Sequence, residues 1–274
     1  MTRDGFIPPS DIDAKELARH LSEALPPRVY TQNLLRFTLL EEQLAAIKAL
    51  LDRNRQVEDA TRIKFEESNN KRAELGPDSD HLDALHEERF WQAVLQDSAH
   101  SMSAVGMLAP FVESLFVAVF DGLKKRENAA GREARRERAD GQLRNPRFVF
   151  HKKGPREGLV DWIDQWATPC GLKEYLPEGY QKTLAALFGY RNNMLHDGFE
   201  WPAEKIQKFS QRIASDNWPK EWFASADKVG KPWLYYMSRE FCAHCTETIE
   251  GIIEGVGRYL KDDRVARICQ KVQP

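Results

Sequence analysis

The run Arg191-Asn192-Asn193-Met194-Leu195-His196 places a permanent cation five residues before an imidazole. A guanidinium offers a planar fork of donors matched to a phosphate, and histidine is the side chain best suited to moving protons near neutral pH. Asn192 adds an uncharged donor and acceptor between them. One group that takes a proton from a ribose 2′-hydroxyl and one that holds the phosphate would suffice for cleavage without a metal. Positioned acid–base catalysis of that kind is worth about 10²–10⁴-fold, and charge stabilisation at the phosphorus adds to it.

The spacing predicts a helix from about Gly179 to His196, closed by Asp197-Gly198 because glycine accepts the left-handed conformation that ends a helix. On its wheel Leu184, Leu187, Phe188 and Leu195 share a face, and Arg191 projects from the middle of it. An unpaired buried charge is costly, so this arginine needs an acid, a carbonyl or a phosphate. Glu113, the one acid inside the most apolar helix, is the expected partner that orients Arg191. His196 lies about 140° further round an ideal helix, and unwinding at Asp197-Gly198 would bring it to the side of Arg191. The bland alternative makes Arg191 a structural arginine, bridging Glu113 or a helix C-terminus, and His196 a helix-ending residue.

The run 191–196 resembles the Arg-x(4–6)-His signature of HEPN domains, including the preference for Asn, Asp or His directly after the arginine. The resemblance implies an all-α bundle in which two copies bring their motifs together across a dimer axis. It implies Arg191 and His196 as catalytic residues, Asn192 as a supporting one, and no cofactor or metal. It also implies RNA as substrate, a 2′,3′-cyclic phosphate product, and a homodimer, with an antitoxin or other defence-system protein as a further partner. Other members of the family have lost catalysis and bind RNA or nucleotides; the alternative expectation here is such a module, or one that docks a partner through the long N-terminal helices. By helix order the likeness spans about 98–260, but only six residues carry it.

The elements that must position these residues read as helices throughout, since no apolar–polar alternation lasts long enough to argue for a sheet. A first short helix capped by Ser10 or Asp11 ends at Leu25-Pro26-Pro27. A long helix follows from about Thr31 into the 70s, with Leu40, Leu44, Ile47 and Leu51 as its apolar stripe and a polar second half that is an exposed arm or a partner-contacting helix, the solvated reading being favoured. After a turn at Gly76-Pro77-Asp78-Ser79 comes a helix carrying Leu82, Leu85, Trp91, Val94 and Leu95 on one side. The stretch Ser98 to Leu123 is apolar on most sides, with Leu108, Val112, Leu115, Val119 and Leu123 on one face, Phe116 and Phe120 widening it, and Pro110 kinking it or starting a new helix. Trp162, Ile163 and Trp166 mark another helix, Ile206, Phe209 and Ile213 the next. A tryptophan-rich loop then leads to a last helix over about Pro232 to Leu260, whose stripe is Phe241, Cys245, Ile249, Ile252, Ile253 and Val256. The expected division is an N-terminal helical region, 1–97, and a HEPN-like helical bundle, 98–274, interrupted by a basic insertion at about 124–157.

In that insertion, from Lys124 to Arg156, twelve lysines and arginines face four acids. It is either a solvated connection or a phosphate-contacting surface; a block of this sign beside a candidate RNA site favours contact through Arg132, Arg135, Arg136, Arg138, Lys152 and Lys153. The chain as a whole, 274 residues with a formal charge of -2, has no global pull toward nucleic acid or membrane. The N-terminus lacks a signal-peptide layout, no window approaches about 18 uninterrupted apolar residues, and a cytoplasmic, non-membrane protein is expected. Its four cysteines make no disulfide framework. Cys242-Ala243-His244-Cys245 looks like half a zinc site, but it lies mid-helix without a second half, and buried structural thiols are the commoner explanation. His81, His86 and His100 show no metal spacing. There is no Gly-rich phosphate loop, Gly-x-Ser-x-Gly or His-Glu-x-x-His.

Overall fold

The computed structural model describes residues 25–35, 39–75, 80–129, 148–151, 154–228 and 230–270. Among them are seven α-helices: α1 (Pro27–Leu34), α2 (Leu40–Leu75), α3 (Asp80–Ala129), α4 (Leu159–Cys170), α5 (Tyr180–Asp197), α6 (Ala203–Ser215) and α7 (Arg239–Gln270). Two antiparallel hairpins interrupt the helices, β1 (Phe148–His151) with β2 (Gly154–Glu157) and β3 (Phe223–Lys228) with β4 (Lys231–Met237). The chain is all-α in class.

The core is built on α3. Val105, Leu108, Val112, Phe116 and Val119 are fully buried, and α7 meets them with Phe241, Ile249, Ile252, Ile253 and Val256, also fully buried. Those are the stripes the periodicity predicts. Trp162, Ile163 and Trp166 of α4 and Leu184, Leu187, Tyr190 and Met194 of α5 complete the same cluster. Pro110 neither starts a helix nor breaks one, since α3 runs on as a single 50-residue element. Pro110 and Gly106, the residue four before it, are both on the exposed side. The carbonyl that the missing N–H leaves free is therefore within reach of water. The expected division at 97/98 falls inside this helix.

By length and composition the stretch Ala84–Arg126 is apolar enough to cross a membrane; 56% of its most apolar window is buried in the fold. Counting only unbroken apolar runs misses it, because the averaged window tolerates Pro110 and Glu113.

Two expected boundaries and one expected exposure change. The long helix from Thr31 is two elements: α1 ends at Leu34 and α2 begins at Leu40. α1 lies on α7, where Thr31 donates to the Ile253 carbonyl, 2.7 Å, and Gly257 lets the Pro27 carbonyl approach. The last helix begins at Arg239 rather than near Pro232, and the tryptophan-rich loop before it holds the β3–β4 hairpin. The polar half of α2 packs along α3, with Ser68 buried and Phe65 stacked on His86 at 5.1 Å, so it is not a free arm. The expected cap at Ser10 or Asp11 and the turn at 76–79 lie outside the described residues.

Candidate functional site

The motif occupies the last two turns of α5. Gly179, in the left-handed region at φ 76°, turns the chain into the helix, and Gly198 at φ 72° turns it out, its N–H donating to the Met194 carbonyl at 3.1 Å. The buried face runs through Tyr180, Thr183, Leu184, Ala186, Leu187, Tyr190 and Met194. The stripe is therefore centred on the Tyr190–Met194 side. Leu195, expected in the core, is 55% exposed, and Arg191 sits on the flank of the stripe rather than in its middle. The tyrosine decides this: Tyr190 is fully buried and donates to the Tyr235 carbonyl, 3.0 Å, which locks the helix rotation.

Arg191 is half-buried, and its Nε is buried without a hydrogen-bond partner. Its Cζ lies 5.9 Å from the centre of the Phe188 ring, a contact worth about 0.5–1 kcal/mol. That is far short of an ion pair with hydrogen bonds. No hydrogen bond or ion pair joins Arg191 to Glu113, so the expected orienting role of Glu113 is not found; Glu113 is half-buried, about 100° round α3 from Val112 on the core stripe. Among the described residues the arginine thus keeps a cationic fork without an acid.

His196 is exposed, as is Asn192. α5 continues through His196 to Asp197, and the left-handed turn comes one residue too late to swing the imidazole. Arg191 and His196 therefore stand about 140° apart around one helix and about 7.5 Å apart along it. Within one copy they face different surroundings. Asp197 is held by Lys205 at 2.5 Å, which ties the end of α5 to α6. The six basic residues proposed for RNA contact, Arg132, Arg135, Arg136, Arg138, Lys152 and Lys153, lie outside the described residues.

A second polar cluster was not singled out by sequence. Glu58 of α2 accepts from His100 Nδ1 of α3 at 2.7 Å and from Arg239 Nε of α7 at 3.0 Å. Arg239 also reaches Asp59 at 2.6 Å, and His100 Nε2 lies 2.6 Å from the Gln96 amide. Beside them a cavity of about 230 Å³ is lined by Asp97, Phe65, Tyr236 and Arg239. Burial, and secondarily the Glu58 charge, push the Asp97 carboxyl up to about 6. The signal was present only as polar residues at helical spacing, Glu58 and Asp59 on one helix and Gln96, Asp97 and His100 on another. Nothing in the sequence says these two helices lie together.

The cysteine motif is built into the interior of α7. Cys245 is 1% exposed, and burial holds its thiol well above the ordinary value; the Cys242 thiol is pushed up to about 12, also by burial. His244 meets the Thr183 hydroxyl at 2.9 Å and lies against Trp222. Among the described residues no group of three or more His, Cys, Asp or Glu side chains is arranged to hold a metal ion. Compared with protein families, with curated proteins and with solved structures, the chain has no match.

Proposed function

We propose that this protein is a HEPN-like, metal-independent endoribonuclease, of the kind used in toxin or phage-defence systems, that works as a homodimer. The observation that carries the reading is Arg191: a half-buried guanidinium whose Nε has no acceptor and which makes no ion pair among the described residues. The residue is only half-buried, so a phosphodiester approaching the solvent side of the fork would give the cation the acceptors it lacks. His196 cannot share that phosphate from the same copy, given its place around the helix. A second copy facing the first across a two-fold axis would bring its own exposed His196 to the phosphate held by Arg191. In that arrangement His196 takes the 2′-hydroxyl proton and Arg191 stabilises the charge on the phosphorane.

The unbroken course of α5 through His196 favours a second reading, a HEPN-like module that binds RNA or nucleotides, or docks a protein, without cutting. Incubating the purified protein with mixed RNA and a chelator separates the two. The nuclease reading expects cleavage that leaves 2′,3′-cyclic phosphate ends and falls by about 10²-fold or more in both Arg191→Ala and His196→Ala. Binding that weakens with salt, with no cut product from the wild type, would replace it with the binding module.

A further inference from the structure

We infer that the outer edge of β3 is a docking site for an extended, acidic peptide segment of a partner protein, received as a third strand of the β3–β4 sheet.

The two edges of this hairpin are treated differently by the fold. Phe223 pairs with Met237 and Ser225 with Tyr235. Met237 spends its N–H on the Ser101 hydroxyl, 2.8 Å, and Tyr235 spends its carbonyl on the Tyr190 hydroxyl, 3.0 Å. The intervening register is bonded across the ladder, as Ser238 shows by donating to the Trp222 carbonyl at 3.0 Å. Opposed residues in an antiparallel pair alternate between bonded and non-bonded positions. Phe223 and Ser225 are therefore at non-bonded positions and turn their N–H and C=O groups away from β4. The edge of β4 is closed by α3 and α5. The edge of β3 has no backbone partner among the described residues.

The open stretch is short and bounded. A register shift between Ala226 and Asp227 ends it, the device by which a bulge twists an edge out of reach. What remains spans Phe223 to Ser225, with Phe223 seated in the core, Ala224 half-buried and Ser225 exposed, enough for a short added strand centred on Ser225.

A groove of about 670 Å³ runs beside this edge, between the face of the hairpin and α6. Its walls include Ile213, Trp218, Pro219 and Tyr235, and Lys220 is the one charged residue lining it. Lys220 is exposed and forms no ion pair among the described residues. A strand added to β3 would send alternate side chains onto this face, an apolar one against Trp218 and Pro219 and an acidic one toward Lys220. Backbone pairing would then supply affinity and the groove specificity.

The test selects random short peptides displayed for binding to the full chain, then synthesises an enriched one with single backbone N-methyl groups at successive residues. Strand addition predicts alternation: every second N-methyl in the contact stretch weakens binding by about fivefold or more, for a lost hydrogen bond, and those between do not. It also predicts that the peptide slows amide exchange at Phe223 and Ser225. Lys220→Glu should weaken an acidic peptide by about two- to fivefold and favour its lysine counterpart. The inference is overturned if no peptide is enriched, if N-methyl effects do not alternate, or if the slowed amides lie elsewhere. Protection of the same two amides that grows with protein concentration and needs no peptide would also overturn it, and would make a second copy the occupant.

Discussion

Replacing Asp97 by asparagine should stabilise the protein at neutral and alkaline pH and do almost nothing in acid. Asp97 faces the cavity beside Glu58 and Arg239, and its side chain accepts no hydrogen bond among the described residues. Burial first, and the Glu58 charge second, raise its carboxyl from 3.8 to about 6, against the smaller opposing pull of His100, Arg239 and Arg62. The folded state thus keeps a proton that the unfolded chain has already released. Stability from this group is complete below the unfolded value near 3.8 and is lost as pH rises through about 6. At 1.36 kcal/mol per tenfold such a change corresponds to about 3 kcal/mol. Asp97 is only partly buried, and screening through the cavity reduces this to about 1–2 kcal/mol. Urea denaturation of wild type and Asp97→Asn at about pH 4 and about pH 8 reads the group together with its coupling to Glu58 and His100, because titrations elsewhere in the chain cancel in the difference. A gain of about 1–2 kcal/mol at the higher pH that disappears at the lower is expected. An equal effect at both, or a loss at the higher pH, would refute the reasoning.

Other perturbations follow from close contacts. Gly257→Ala would put a Cβ 2.0 Å from the Pro27 carbonyl oxygen, so α1 must lift from α7; a loss of about 1–3 kcal/mol or more by denaturation, with faster amide exchange in α1, is expected. Tyr190→Phe removes the buried donor to the Tyr235 carbonyl and should cost about 1–3 kcal/mol, read as a lower denaturation midpoint with an unchanged slope. Arg191→Ala breaks no ion pair among the described residues and loses only the contact with Phe188, so its unfolding free energy should lie within about 1 kcal/mol of wild type even where RNA binding is lost.

Much of the bundle is legible in the sequence because its helices have one buried side each. The stripes of α3 and α7, the glycine exit at Gly198 and the entry at Gly179 are all read from spacing and residue type. The end of α1 at Leu34 is not, since neither Leu34 nor Leu35 is a helix breaker. The seating of α1 on α7 is a tertiary contact that no local pattern records. The β3–β4 hairpin escapes for another reason: both of its faces are covered. Phe223, Tyr235 and Met237 belong to the main core, while Ala226 and Leu234 pack with Val94 in a second cluster. Adjacent Leu234 and Tyr235 are therefore both buried, and the alternation that betrays a one-sided strand is erased. Gly230, at φ 71° in the turn, was the remaining signal. At the candidate site the motif helix is legible, but its rotation is not. A buried tyrosine hydroxyl costs little once it finds a carbonyl, so Tyr190 rather than Leu195 faces the core.

The reading of Arg191 and His196 as halves of one site on different copies is tested most directly by mixing. Arg191→Ala and His196→Ala proteins, each inactive alone, are unfolded and refolded together, then given RNA and a chelator. Random pairing makes half of the dimers mixed, each with one intact Arg191–His196 site, so the account predicts about a quarter of wild-type cleavage. Cleavage by the wild type with none restored in the mixture would contradict it.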